Sequence, residues 1–266
     1  MPKVSVIMGI YNCAPHLQEA LDSLYAQTFQ DFEIILCDDG STDDTYNLAF
    51  ENSKEHPNIV LLRNEKNMGL NVTLNRCLAV AKGEYIARMD GDDISLPTRF
   101  EEEVSFLDKH FDYAIVSTPM YYFDENGVFG EGHNSGEAKI TDLNFGSPFC
   151  HAPCMVRKDA YDKVGGYSED KRLLRMEDYN LWMKMFAVGY RGYNLSMPLY
   201  MMRDDRNAAR RRTVRARFNG IYAHWLAYKT LNLSLMHFVR YSVGNIIRAF
   251  APNFIYNHFH KNNLSY

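Results

Sequence analysis

Apolar positions along the first ninety residues recur with two alternating periods. Val4, Val6, Ile7 and Ile10 make a largely β-branched run that predicts a strand over 3–10. After a loop at Tyr11-Asn12, Pro15 opens a helix whose Leu17, Ala20, Leu21 and Leu24 repeat at helical spacing. A second strand, 32–37, ends in Asp38-Asp39-Gly40-Ser41-Thr42-Asp43-Asp44-Thr45. Ser41 or Thr42 is the expected cap of the next helix, with Asp43 and Asp44 in its first turn, where the helix dipole favours acids. A third strand, 58–62, leads through Asn67-Met68-Gly69 to a helix with Leu70, Thr73, Leu74, Cys77, Leu78 and Ala81 on one face, closed by Gly83. A fourth strand runs over 84–89. Strands and helices alternating through short connections predict an α/β fold with a doubly wound, mainly parallel sheet. Farther on, the pattern predicts a helix over 97–110, a strand over 113–118 and a hairpin about Asp124-Glu125-Asn126-Gly127. It then gives a strand at 153–157, a turn at Gly165-Gly166-Tyr167, a helix from Met176 burying Tyr179, Trp182, Met183 and Phe186, and extended stretches at 190–194 and 198–202.

Polar residues gather where the strands end: Tyr11, Asp38-Asp39, Asn64 to Asn67, and Asp90 to Asp93. In open α/β sheets the ligand crevice lies at that edge. Ala87-Arg88-Met89-Asp90-Gly91-Asp92-Asp93 crowds three carboxylates round one glycine. They repel one another unless a cation relieves them, and Mn²⁺ or Mg²⁺ suits oxygen ligands and a phosphate-bearing substrate. The other reading is a solvated acidic turn.

Length and composition change this picture little. The 266 residues, 46% apolar, suffice for one large domain or one domain with an extension. Cysteines 13, 37, 77, 150 and 154 show no paired metal spacing and suit reduced thiols of a cytoplasmic protein. The start of the chain lacks the pattern of a signal peptide, and no apolar run reaches membrane-spanning length, so a soluble or peripheral protein is expected.

Charge changes it more. The net −4 conceals a split: no acid follows Asp205, and 206–266 carries ten Lys and Arg, which leaves 19 basic against 33 acidic residues before it. The expected division is therefore a domain at 1–205 and a basic, aromatic-rich, amphipathic helical extension at 206–266. Arg210-Arg211-Arg212, Arg215 and Arg217 precede two helical stretches, one with Phe218, Ile221, Tyr222, Trp225 and Tyr228, the other with Leu235, Val239, Val243, Ile246 and Phe250. Such segments suit an anionic membrane surface, with packing on the acidic core or a homodimer as the alternatives. Nucleic acid would match the charge, but no reading motif is present and none is expected as a partner.

Taken together, the motifs resemble the inverting family-2 glycosyltransferases of GT-A fold, of the bacterial cell-surface polysaccharide type. The matching pieces are Val4-Ser5-Val6-Ile7 with Tyr11-Asn12, Asp38-Asp39-Gly40-Ser41-Thr42-Asp43, Asn67-x-Gly69 with Asn75, Asp90-Gly91-Asp92-Asp93, Gly165-Gly166-Tyr167, and Glu177-Asp178-x-x-Leu181-Trp182. They fall in the family's order over 3–205. The resemblance implies a nucleotide-sugar donor, a lipid-linked or polysaccharide acceptor, and work at the inner face of the cell membrane. Asp178 is the implied base, with Glu177 beside it orienting acceptor or metal site. Asp92 is the implied metal ligand, Asp93 a second candidate, and Asp90 faces the ribose or an outer-shell water. Asp205 stands where some relatives place a metal-reaching histidine. The donor side comprises Ile10, Tyr11, Asp38, Asp39, Asn67, Arg88, Asp90 and His151. Asp38 or Asp39 can accept from an imide N–H; uracil has one, which favours UDP over a cytidine donor, although guanine and thymine share it. Tyr11 can stack on the base. Arg88 meets phosphate or pairs with Asp90, and His151 lines the sugar site or is structural. Leu74 stands where many relatives carry arginine. The rival readings are a nucleotidyltransferase, which wants a glycine-rich basic loop that 9–13 does not supply, and a non-catalytic membrane-surface scaffold.

Overall fold

The computed structural model describes residues 1–204 and 213–250. Its first half alternates β1 (Val4–Ile10), α1 (Ala14–Tyr25), β2 (Phe32–Asp38), α2 (Thr45–Glu55), β3 (Ile59–Arg63), α3 (Leu70–Val80) and β4 (Tyr85–Arg88). The four strands pair in parallel in the order β3-β2-β1-β4, so their C-terminal ends share one edge. Successive side chains of a strand point to opposite faces. Accordingly Val4, Val6, Met8 and Ile10 of β1 enter one core cluster with Leu17, Leu21 and Leu24 of α1, while Ile7 enters the other with Leu74 and Cys77 of α3. Covering on both faces explains why these strands read as nearly continuous apolar runs.

Then follow β5 (Ile94–Ser95), α4 (Arg99–Lys109), β6 (Ile115–Ser117), β7 (Met120–Asp124), β8 (Gly127–Glu131), β9 (Gly136–Ala138), β10 (Met155–Arg157), α5 (Lys158–Val164), α6 (Glu177–Ala187), β11 (Gly192–Asn194), β12 (Tyr200–Arg203), α7 (Val214–Leu231) and α8 (Leu235–Phe250). The main sheet continues through β10, β6, β11 and β9. β10 lies antiparallel between β4 and β6, so the sheet is mixed although mainly parallel. A second sheet, β5-β12-β7-β8, flanks the acidic loop after β4.

Two local expectations change. Asp44, not Ser41 or Thr42, stands at the N-cap of α2, without a side-chain cap. The expected caps are engaged elsewhere: Asn12 N–H donates to Ser41 Oγ at 3.0 Å, and Thr42 N–H to Asn12 Oδ1 at 2.9 Å. Asp43 accepts from Ala14 N–H and Thr45 N–H rather than joining the first turn. Likewise α3 ends at Val80, and Gly83 instead donates to Ser5 Oγ at 2.8 Å.

The C-terminal helices are present. α7 packs on the core, giving it Ala223 and Ala227, and its His224 is sandwiched between Tyr179 of α6 and Tyr241 of α8. α8 packs on α7, and no described helix is long and apolar enough to cross a membrane. Arg206 to Arg212 and residues 251–266 lie outside the described residues.

Candidate active site

Each parallel strand delivers one loop to the shared edge. Asn12, with a left-handed φ of 48°, ties the loop after β1 to the loop after β2. Tyr11 is 45% exposed at this mouth. Ile10, expected to touch the donor, is instead fully buried: its carbonyl accepts from Asp39 N–H, and its side chain packs under Gly91. Ile10 thus forms the floor of the crevice.

The adjacent aspartates divide their work. Asp39 accepts from Asn64 Nδ2 at 2.6 Å, Met68 N–H at 2.8 Å and Gly69 N–H at 2.9 Å, which secures the turn opening α3. Gly40 turns the chain with φ +72°, and a Cβ there would lie 2.6 Å from the Lys66 carbonyl carbon. Asp38 is buried and makes longer contacts, 3.3 Å to Ser41 N–H and 3.3 Å to Arg63 Nε. Arg63 itself lies over the Tyr46 ring. Asn67 is exposed beside them.

Arg88 ends β4 at 4% exposure and grips Asp90 with two nitrogens, at 2.9 and 2.5 Å. The local ion pair is therefore the contact formed, and Arg88 Nε stays buried without a partner among the described residues. Its charge also reaches His151, Tyr167, Glu177 and Asp178. His151 hydrogen-bonds Tyr167 Oη at 2.9 Å, and burial together with Arg88 holds its pKa well below the usual value, so it stays neutral. Burial raises the carboxyls of both Glu177 and Asp178 at the start of α6, Glu177 also through its charged neighbour. Glu177 Oε2 is buried and unpartnered among the described residues.

The acidic loop is anchored from the second sheet. Asp93 accepts from Tyr200 Oη at 2.9 Å and Arg203 N–H at 2.8 Å, so both oxygens already hold β12. Tyr200 Oη also accepts from Asp90 N–H. Asp92 is exposed, and no described residue hydrogen-bonds its carboxylate. Loss of hydration in the crevice and the Asp90 charge push its pKa up, outweighing the opposing charges of His16 and Arg203. Asp205 lies outside the described residues.

Sequence patterns did not single out two supports. Arg99 is wholly buried, pairs with Glu103 at 3.2 Å, and donates to the carbonyls of Arg88 at 2.9 Å and Cys154 at 3.3 Å, joining the ends of β4 and β10. Its only signal was an Arg and a Glu four apart on the inner face of α4. Tyr200 had none beyond its place in an extended stretch.

The architecture, a mixed α/β sheet with an acidic loop at the parallel-strand ends, is the GT-A fold. It superposes on Staphylococcus aureus TarS 1-349 in complex with UDP-GlcNAc with TM-score 0.71 at 21% identity, over 93% of this chain and 72% of that one. It also superposes on the mannosyltransferase PcManGT from Pyrobaculum calidifontis, in complex with GDP-Man and Mn²⁺, with TM-score 0.63 at 20% identity, over 94% and 76%. Residues 5–165 match the family described as Glycosyl transferase family 2. The chain is 42% identical over 261 residues to the putative glycosyltransferase EpsE of Bacillus subtilis (strain 168), spanning 98% of this chain and 94% of that protein. It is 31% identical over 258 residues to an Escherichia coli UDP-Gal:alpha-D-GlcNAc-diphosphoundecaprenol beta-1,3-galactosyltransferase, spanning 90% and 91%. The chain belongs to glycosyl transferase family 2, and it is a glycosyltransferase.

Proposed function

We propose that this enzyme transfers a sugar, with inversion, from a UDP-sugar to a hydroxyl of a lipid-linked acceptor in cell-surface polysaccharide synthesis. The observation that carries the proposal is the half-buried Glu177-Asp178 pair at the start of α6, within electrostatic reach of Arg88, whose own ion pair with Asp90 leads to the acidic loop. The E. coli relative's name supports UDP and a diphosphoundecaprenol acceptor, and the TarS complex supports a UDP-sugar on this fold.

Asp178 takes the proton of the acceptor hydroxyl as that oxygen attacks the anomeric carbon opposite the departing diphosphate. A carboxylate whose pKa burial has raised accepts a proton more readily than an exposed one. That Glu177 Oε2 has no partner among the described residues supports a role for Glu177 as hydrogen-bond acceptor for a sugar hydroxyl. Neutral His151, fixed by Tyr167, would present a polar ring edge to the sugar without adding charge. Arg88 holds Asp90 in place for the ribose, and Asp38 is the acceptor for the uracil imide once Arg63 moves aside.

The residues present fit Mn²⁺ or Mg²⁺. No three acidic, His or Cys side chains converge among the described residues, so a cage built wholly of described side chains is not what this site offers. One uncommitted carboxylate, Asp92, facing a diphosphate is a usual setting for these ions, which take one or two carboxylates and complete their shell with phosphate and water. Asp92 would hold such a cation, whose chemistry when bound would be to supply positive charge to the leaving diphosphate.

The test is transfer from UDP-galactose or UDP-glucose to diphosphoundecaprenol-linked N-acetylglucosamine, followed by UDP release and by the anomeric configuration of the product. Asp178→Asn is expected to bind UDP normally and lose about 10²–10⁴-fold in transfer. Near-normal transfer by Asp178→Asn would remove the base, and an intact biological role for that variant would favour a scaffold.

A further inference from the structure

We propose that the outer face of α8 seats on an anionic lipid bilayer surface. This extends the lipid-linked acceptor reading and rests on it for its purpose: a seated α8 would bring the enzyme to the surface where such an acceptor resides.

The face is contiguous. Leu235, Met236, Val239, Val243, Ile246 and Ile247 are 54, 73, 48, 49, 44 and 62% exposed. At about 100° per residue they fall within an arc of roughly 120°. Phe238 and Tyr241, on the opposite side, stack on Tyr228 and His224 of α7. Single exposed apolar residues are ordinary on protein surfaces, but six on one helix face are not.

Charge selects the occupant. Arg240 borders the arc, Arg248 lies on the same helix, and no acidic residue follows Asp205. A second copy would bring one strongly basic segment against another, which costs free energy. An anionic leaflet meets both the apolar arc and the positive charge. α7 exposes a further stripe, Val214, Phe218 and Trp225, with Arg215 beside it, and a tryptophan suits the membrane interface. At 16 residues α8 is about 24 Å long, short of the hydrocarbon core, so it lies in the plane of the interface.

The experiment is co-sedimentation of the full chain with phosphatidylcholine vesicles, with and without phosphatidylglycerol, alongside UDP titration of the same protein. Wild type is expected to bind the phosphatidylglycerol vesicles, more weakly as salt is added, and to bind phosphatidylcholine alone poorly. Val239→Glu with Val243→Glu is expected to lower vesicle binding about tenfold or more while leaving UDP binding unchanged. Arg240→Glu, an exposed charge reversal, is a second variant expected to weaken it. Wild type that ignores anionic vesicles overturns the proposal, as does binding that all these variants leave intact. A dimer that the double variant dissociates, without vesicle binding by wild type, would assign the face to a second copy. UDP binding without vesicle binding defeats this inference alone; vesicle binding without UDP binding defeats the donor reading alone.

Discussion

Asn75 and Gly166 lock the turn that carries Tyr167, and the lock can be measured. Asn75 Nδ2 donates to the Tyr167 carbonyl at 2.9 Å and to Glu169 Oε1 at 3.0 Å, while Asn75 Oδ1 accepts from Tyr167 N–H at 2.8 Å. Tyr167 is 2% exposed, so Asn75→Ala strands one backbone donor and one acceptor out of reach of solvent. At about 1–3 kcal/mol for each group, and little for the exposed Glu169 contact, the expected cost is about 3 kcal/mol. Gly166, with φ +63°, follows Gly165 at the C-cap of α5, and its N–H donates to Tyr161 O at 3.0 Å. A Cβ at Gly166 would sit 2.6 Å from Asn75 Oδ1. Gly166→Ala therefore meets a left-handed backbone cost of about 1–2 kcal/mol and a further steric cost of about 1–3 kcal/mol. In the double variant the obstructing oxygen is gone and only the backbone cost remains. The two losses should fall short of additivity by that steric share, about 1–3 kcal/mol. Urea unfolding of the four proteins, with matching slopes, measures this. Strict additivity would mean that Asn75 and Gly166 do not act on one another, and the account of this turn would be wrong.

Other variants test other supports. Arg99→Met leaves Glu103 buried without its partner and is expected to cost about 3–5 kcal/mol in urea unfolding. Tyr200→Phe removes the hydroxyl between Asp90 N–H and Asp93, and should cost about 1–2 kcal/mol and weaken UDP binding in Mn²⁺. Burial pushes His224 down to about 4. Between the ordinary histidine value and that one, the unfolded chain binds a proton that the folded chain refuses, so stability falls as pH drops through this window. The expected loss from His224 is about 3 kcal/mol, and His224→Gln should flatten the pH dependence of the urea midpoint by that share.

The first ninety residues were the legible part. Strand runs such as Val4 to Ile10 and the helical face Leu17, Ala20, Leu21 and Leu24 are local signals, and the structure keeps them. Cys77, on the apolar face read for α3, is fully buried, as is Cys37 at the end of the second strand run. The second half carried less, because β10 and β11 are three residues each and the antiparallel entry of β10 between β4 and β6 is set by pairing, not by periodicity. The cap of α2 was misplaced because Ser41, Thr42 and Asp43 bond to residues about thirty positions away. At the site, position along a strand end could be read, but not which of two neighbouring acids was already committed. Asp39 and Asp93 are each committed by long-range bonds, to Met68 and Gly69 and to Tyr200 and Arg203, which no spacing reveals.

The most direct measurement is calorimetric titration of UDP into wild type and Asp92→Ala, each with and without Mn²⁺. Wild type should bind UDP more tightly with Mn²⁺, and Asp92→Ala should lose that gain. UDP binding that responds neither to Mn²⁺ nor to the loss of Asp92 would contradict a metal-assisted donor site at the acidic loop.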